Sequence, residues 1–337
     1  MKRLLSSTWH VFLLIVLPLA LCHASIEQAQ TAIEQERFAE AVNLLESQLE
    51  QHDDKAVVLQ SLVQAYAGND QLKQAEETLE DLLELRDDQV DDYLLAGEIY
   101  AQRVDEVSIF RKIGYAKKIR NAFQQALELD SQSVEAHLAL IGFYVNAPGI
   151  AGGGMDEAIE ILDKLRAIDS AAALQGQAMI AVSEDEMPQA IRLLEQSLEQ
   201  DPAQHEARLM LAIIHINQKS YQLAWPLIEK LTSPPAGDAS IDDRRRWRGA
   251  LYQAGKLASE SGDWLEPGAA ALQQYLDQGL FHRLPPPAWA YYRLGLIHQH
   301  RGDDTQARQF FELAEQANKT EDDDSLDDLL KEQRKRG

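Results

Sequence analysis

The chain predicts an all-α fold, an α–α superhelix of about eight helix–turn–helix units. Three observations predict it. Apolar residues recur at spacings of three and four, as in Ala75, Leu79, Leu82 and Leu83 or Ala190, Ile191, Leu194 and Leu198, which places them on one face of a helix. Whole segments recur 34 residues apart: RFAEAVNLLESQLEQ (37–51) matches QLKQAEETLEDLLEL (71–85), and Ala190 and Ala224 show the same interval. Short polar breaks, GNDQ at 68–71 and RGDD at 301–304, leave room only for tight turns between the helices. A helix pair of this size cannot bury its apolar face alone, so neighbouring pairs must stack.

The first 24 residues stand apart from this pattern. Lys2 and Arg3 precede an apolar run from Val11 to Leu21 that contains Pro18, and the segment closes on Ala24. The run is shorter than the roughly 20 apolar residues that cross a membrane, so it reads as a secretory signal with cleavage after Ala24. That predicts an exported protein, periplasmic, beginning at Ser25. A rival reading is a lipid anchor on Cys22, because Leu19-Ala20-Leu21-Cys22 is similar to a lipobox, although Leu21 stands where a small residue is usual. Cys22 is the single cysteine, so a chain starting at Ser25 forms no disulfide, thiolate metal site or cysteine nucleophile. The net charge of −23 becomes −25 when Lys2 and Arg3 are removed. A field of that sign disfavours nucleic acid and anionic surfaces overall and favours cationic partners.

From Ser25 to residue 318 the repeat dominates. Its second helices carry an anchor near Ala41, Ala75, Ile119, Ala158, Ala190, Ala224, Ala271 and Ala307, small except at Ile119, which fits worst. The last unit is the fullest, with Tyr291, Leu294-Gly295, Ala307, Phe311 and Ala314 in register. This order of residues resembles the tetratricopeptide repeat, in which a small residue lets two helices approach and large ones fill the space between them. The stretches IFRKIGYAKKIRNAFQQALELD (109–130), LIGFYVNAPGIAGG (140–153) and LYQAGKLASESGDWLEPGAAALQQYL (251–276) further resemble exported bacterial tetratricopeptide proteins with an AP-G-GG loop.

Gly149, Gly152, Gly153 and Gly154 interrupt the pattern. Three successive glycines would cost a helix about 2–3 kcal/mol relative to alanine, so 152–154 reads as a loop between a helix ending near Val145 and another starting near Met155. A phosphate cradle is disfavoured: no Lys-Ser/Thr follows, no strand precedes, and Asp156 and Glu157 occupy the helix start an anion would need. The break Pro234-Pro235 and the run Arg244, Arg245, Arg246, Trp247, Arg248 suggest a division of the array at 232–248, with the arginines capping a new helix pair. Residues 319–337 read as a charged tail, disordered or a frayed helix, with only Leu326, Leu329 and Leu330 to pack and an interaction role as the alternative.

The resemblance implies a concave face lined by first helices, where partners lie. Register on the repeat puts Gln60, Gln64, Leu94, Glu98, Leu209, Ile213, Tyr252, Lys256, Tyr292 and Gln299 there. The family's clamp for a terminal carboxylate needs several Lys, Arg and Asn together, and only Lys256 qualifies; the remaining mix suits an extended peptide or a partner helix. Arg111, Lys112, Lys117, Lys118 and Arg120 form a basic patch that could receive an acidic partner or lipid headgroups. His298 and His300, two apart on a helix, point to different faces and to packing instead of metal. No His-Glu-x-x-His, Gly-x-Ser-x-Gly or Walker sequence occurs, so neither catalysis nor a cofactor is expected. The expectation is a non-catalytic scaffold that binds a protein or peptide in the bacterial envelope. The alternatives are a cell-wall or carbohydrate-binding factor, using Tyr252, Trp264, Trp289, Tyr291 and Tyr292 as stacking surfaces, and an enzyme with an unrecognised site.

Overall fold

The computed structural model describes residues 26–50, 52–236, 241–279, 284–321 and 323–336. The expected signal segment, with Cys22 inside it, lies outside them. Among the described residues the chain is all-α, with no strand.

Two compact units divide at Asp169–Ser170, well ahead of the break expected at 232–248. The first holds a helix over residues 26–34 (α1), then α2 (Phe38–Gln48), α3 (Lys55–Gly68), α4 (Leu72–Leu85), α5 (Val90–Glu106), α6 (Ile109–Leu129), α7 (Val134–Asn146) and α8 (Met155–Arg166). The second holds α9 (Ser170–Ser183), α10 (Met187–Gln200), α11 (His205–Asn217), α12 (Tyr221–Glu229), α13 (Ile241–Ser261), α14 (Leu265–Asp277), α15 (Pro287–His300), α16 (Asp304–Glu321) and α17 (Asp324–Arg336). Sequential helices pair, α3 with α4, α5 with α6 and so on to α15 with α16. Among the described residues eight pairs result, as the spacing predicts.

The expected anchors lie where helices meet. Ala41, Ala75, Ala158, Ala190 and Ala224 are fully buried. In three pairs the first helix also offers a glycine, Gly97, Gly255 or Gly295, to a large residue of the second. A Cβ on Gly295 would lie 2.4 Å from the Phe311 ring, and one on Gly97 would lie 2.1 Å from Phe123. Such an approach needs glycine. In the seventh pair this contact corrects the register. The close approach is made by Gly268, whose Cβ would meet that of Ala258 at 2.2 Å; Ala271, named from the sequence, sits almost one turn further on.

Five of the turns within pairs share one geometry, from which α13–α14, with Gly262 and Trp264 both at positive φ, differs. Glu36, Asp70, Asp185, Lys219 and Gly302 all have positive φ, each five residues before its anchor. The following N–H reaches back to a helix carbonyl, as Gln71 to Tyr66 and Ser220 to His215, both at 2.8 Å, so the helix closes on a left-handed residue in a Schellman turn. The turn α7–α8 departs from it by the glycine insertion, and α5–α6 by lengthening both helices.

The tail is a packed helix where disorder or a frayed helix is expected. Residues 324–336 form α17, with Leu326 fully buried and Leu330 nearly so, packed on Ala288, Tyr292 and Ala314. Trp289 Nε1 donates to Asp323 Oδ2 at 2.9 Å, and Asn318 Nδ2 donates to the Asp323 carbonyl at 2.9 Å and to Asp327 Oδ1 at 2.8 Å. Two leucines in the right register and a polar clasp suffice, because the helix covers an apolar surface that already exists.

Candidate functional site

The residues assigned to the first-helix face divide into those left at the surface and those absorbed by the core. In the first unit, Gln64 and Glu98 are half-buried and Leu94 is buried. Gln60 Nε2 donates to Asp92 Oδ1 at 3.0 Å. Asp92 is fully buried and also accepts from Arg86 Nε and Nη2, both at 2.8 Å. Burial pushes its carboxyl up in spite of the guanidinium beside it, so Gln60 helps to satisfy a costly buried acid. In the second unit, Leu209 and Ile213 are half-buried on α11, and Lys256 Nζ lies 3.4 Å from Asn217 Oδ1. Gln299 is exposed, with its Nε2 3.4 Å from Gln333 Oε1 of α17.

Tyr252 and Tyr292 are not surface residues. Tyr252 is 5% exposed and Tyr292 is 6% exposed. The Tyr252 hydroxyl accepts from Arg293 Nε at 3.0 Å, and the Arg293 guanidinium carbon stands 5.5 Å from the Tyr252 ring centroid and 5.8 Å from that of Trp289. Arg293 also donates to Ser259 Oγ and Glu260 Oε1, each at 3.2 Å. This buried cation is missed by sequence reasoning, because its partners lie more than thirty residues away and repeat register says nothing of charge. Tyr292 is enclosed by Trp289, Phe311 and α17. Trp264 stacks on Trp225 at 5.1 Å and 6°. Tyr252 and Tyr292 are thus closed off by their own chain, while Trp264, Trp289 and Tyr291 pack against it and stay half-buried.

The basic patch also divides. Lys118 turns inward: its Nζ meets Glu76 Oε1 at 2.9 Å and Glu80 Oε1 at 2.8 Å, and lies 4.8 Å from the Tyr100 ring centroid. Glu76 Oε2 further accepts from Tyr115 at 2.7 Å and Arg103 Nε at 2.9 Å. Burial raises the Glu76 carboxyl pKa, but the bonds from Tyr115, Lys118 and Arg103 outweigh it and hold it below the usual value. Burial likewise lowers Lys118, and Glu80 and Glu76 more than reverse this. Arg120 belongs to the glycine loop, its Nη1 so near Gly152 that a Cβ there would stand 2.6 Å away. Arg111 and Lys117 stay exposed and Lys112 is half-exposed.

The loop itself is a packed turn. Residues Gly149–Ala151 form a single 3-10 turn, Gly152 has φ +93, and Gly154 N–H bonds to the Tyr144 carbonyl at 3.1 Å. A Cβ on Gly153 would fall 1.7 Å from the Ala147 carbonyl oxygen. Glu157 curls back over the start of α8, close to Gly154, and occupies the place an anion would take.

The arginine run belongs to a helix of its own, α13. It lies within the first turns of α13, where Arg246 pairs with Glu206 and Asp243 and Trp247 Nε1 donates to the Thr232 carbonyl at 2.9 Å. His298 stacks on Phe310 at 5.1 Å, and His300 Nε2 lies 3.1 Å from the Ser259 carbonyl oxygen. Among the described residues no group of three or more His, Cys, Asp and Glu is placed to hold a metal, and no helix is long and apolar enough to cross a membrane.

Comparison with solved structures shows the same fold at low identity. The crystal structure of the APC/C hetero-tetramer Cut9-Hcn1 is 14% identical with a TM-score of 0.50, over 90% of this chain and 54% of that one. A tetratricopeptide repeat protein from Parabacteroides merdae is 13% identical with a TM-score of 0.48, over 82% of this chain and 98% of that one. A thermophilic TPR protein of Thermus thermophilus is 16% identical with a TM-score of 0.46, over 58% of this chain and 99% of that one. A search of curated proteins finds no match. Models described as tetratricopeptide repeat match residues 32–96, 181–241 and 252–322. These spans make up more than half of the sequence, and they coincide with the helix pairs and left-handed turns described above: the chain belongs to the tetratricopeptide repeat family.

Proposed function

We propose that the protein is an exported, non-catalytic scaffold that binds another protein through the surface of its first helices, as an extended peptide or a helix. Tetratricopeptide repeat proteins generally mediate protein–protein interaction. The observation that carries the reading is the state of the first-helix residues once the core is subtracted: Gln64 and Glu98 in the first unit, and separately Leu209, Ile213 and Lys256 in the second, remain part-exposed, a mixture of apolar and hydrogen-bonding groups with few cations in each. Such a surface takes backbone amides and apolar side chains together. Export rests on the signal-like segment 1–24, and cleavage after Ala24 leaves a periplasmic chain. Two of the five aromatic residues that motivated a carbohydrate-binding reading, Tyr252 and Tyr292, are taken up by internal packing, which favours the protein partner.

The test is cross-linking in intact cells with a tagged full-length chain, followed by mass spectrometry of the captured proteins and of the mature N-terminus. The reading expects a small set of envelope proteins, lost in Gln64→Arg and Ile213→Asp, and an N-terminus at Ser25. Capture unchanged by both variants removes the first-helix surface from the account, and an N-terminus at Met1 removes export.

A further inference from the structure

The hairpin α5–α6 outreaches its neighbours. Helix α5 has 17 residues and α6 has 21, against 14 in α4 and 13 in α7. At 1.5 Å per residue, the eight residues by which α6 exceeds α7 carry its free end about 12 Å further. Lateral support stops at Tyr115 and Lys118, which meet Glu76 of α4, and at Arg120, which meets the glycine loop. Beyond these contacts the tip is bare. Phe110 is 91% exposed and Ile109 is 73% exposed, and a Cβ on Gly114 would meet nothing within 4 Å.

Cations surround these two apolar side chains. Arg111, Lys112 and Lys117 carry no ion pair among the described residues, and Glu106, four residues before Phe110, is held by Arg103. Lys117 lies seven residues from Phe110, so the two share a face. The first turn of α6 has no acidic residue and Ser108 provides no side-chain cap, which leaves the positive end of the helix dipole at the tip. All this occurs in a chain of net charge −23.

We infer that the α5–α6 tip docks on an anionic lipid surface, with Phe110 and Ile109 entering the headgroup–hydrocarbon boundary and Arg111, Lys112 and Lys117 meeting the phosphates. A bilayer presents anions outside and an apolar phase beneath, which is the order in which the tip presents its cations and its end. A convex end with two apolar side chains and no groove also suits a deformable surface. The reach of the hairpin reconciles the contact with the acidic chain. On the α7 side it exceeds the Debye length of about 8 Å at physiological ionic strength, so repulsion between the lipid and carboxylates on that side is weakened by salt while the tip touches.

The test is flotation of the chain from Ser25, which holds every described helix, with vesicles of phosphatidylcholine alone or mixed with phosphatidylglycerol. Binding is expected only with phosphatidylglycerol and is expected to weaken with salt. Each cation near such a surface contributes about fivefold, so the combined Arg111→Gln, Lys112→Gln and Lys117→Gln variant should bind on the order of a hundredfold more weakly. Phe110→Ser should lose about tenfold or more. All four positions lie outside the core, and a circular dichroism spectrum equal to wild type confirms the variants are folded. Failure to float with phosphatidylglycerol, or flotation that both variants retain, overturns the proposal. So does retention of the tip by an acidic protein in place of lipid.

Discussion

At Lys219 the backbone takes φ +58, a left-handed conformation that costs a residue with a Cβ about 1 kcal/mol or more. The Schellman turn requires it, and the exposed side chain does nothing there to offset the cost. Lys219→Gly should therefore stabilise the chain by about 0.5 kcal/mol after the entropy lost from the unfolded state, read as a small rise in the melting temperature by circular dichroism. These turn residues also show why position was hard to read at this scale. In GNDQ the obvious left-handed candidate is Gly68, yet Asp70 takes φ +61, because the turn is fixed by its distance from the anchor alanine and not by the nearest glycine. Tyr252 and Tyr292 fail for a related reason: repeat register gives the face of a helix, but α17 and the buried Arg293 decide whether that face is covered. Glu76 supplies the pH prediction. Its folded-state pKa lies below the ordinary 4.5, so its contribution is complete above that value and is lost as pH falls through the lower, folded one. Glu76→Gln should cost about 2 kcal/mol at neutral pH, and the gap to wild type should close in acid; a gap that stayed constant with pH would contradict the network.

Among the elements, α17 departs furthest from expectation. Its density of charge, taken in isolation, supports disorder. The two leucines at the right spacing outweigh it because Tyr292, Trp289 and Ala314 offer an apolar surface that must be covered. Leu326→Asp with Leu330→Asp should detach the helix. Each buried leucine lost costs about 2–5 kcal/mol, so tryptophan emission should shift to the red and Gln299 should become free of Gln333. Unchanged emission would mean that α17 is not the cover of α15. The lengthened α5–α6 and the glycine turn beside it were legible in part. The glycines announced a loop, and its ends at Asn146 and Met155 fall where the pattern placed them. That this loop packs against Arg120, and that Lys118 leaves the basic patch for Glu76, depends on contacts between elements that periodicity does not encode.

Across the molecule, the fold was the most legible feature, because each repeat states the same helix pair again and errors in one unit are corrected by the others. The division at Asp169–Ser170 was not legible, since only the three residues 167–169 separate α8 from α9 there, without a proline or glycine break. Residues 97–180, which the family models leave unmatched, include the lengthened hairpin and the glycine turn, so the departures from the repeat are concentrated there. In repeat proteins stability is close to a sum of local terms. Hydrogen exchange on Glu76→Gln should consequently quicken in α4 to α6 and leave α13 to α16 unchanged; a uniform change would show the two units unfolding as one. The central claim is that first helices bind the partner, and site-specific photo-cross-linking in living cells tests it most directly. Probes at Gln64 and Ile213, on α3 and α11, should capture the same protein, while probes at the exposed Gln74 and Gln196 of the second helices α4 and α10 should capture none. Capture from the second helices alone, or from none of the four positions, would contradict the account.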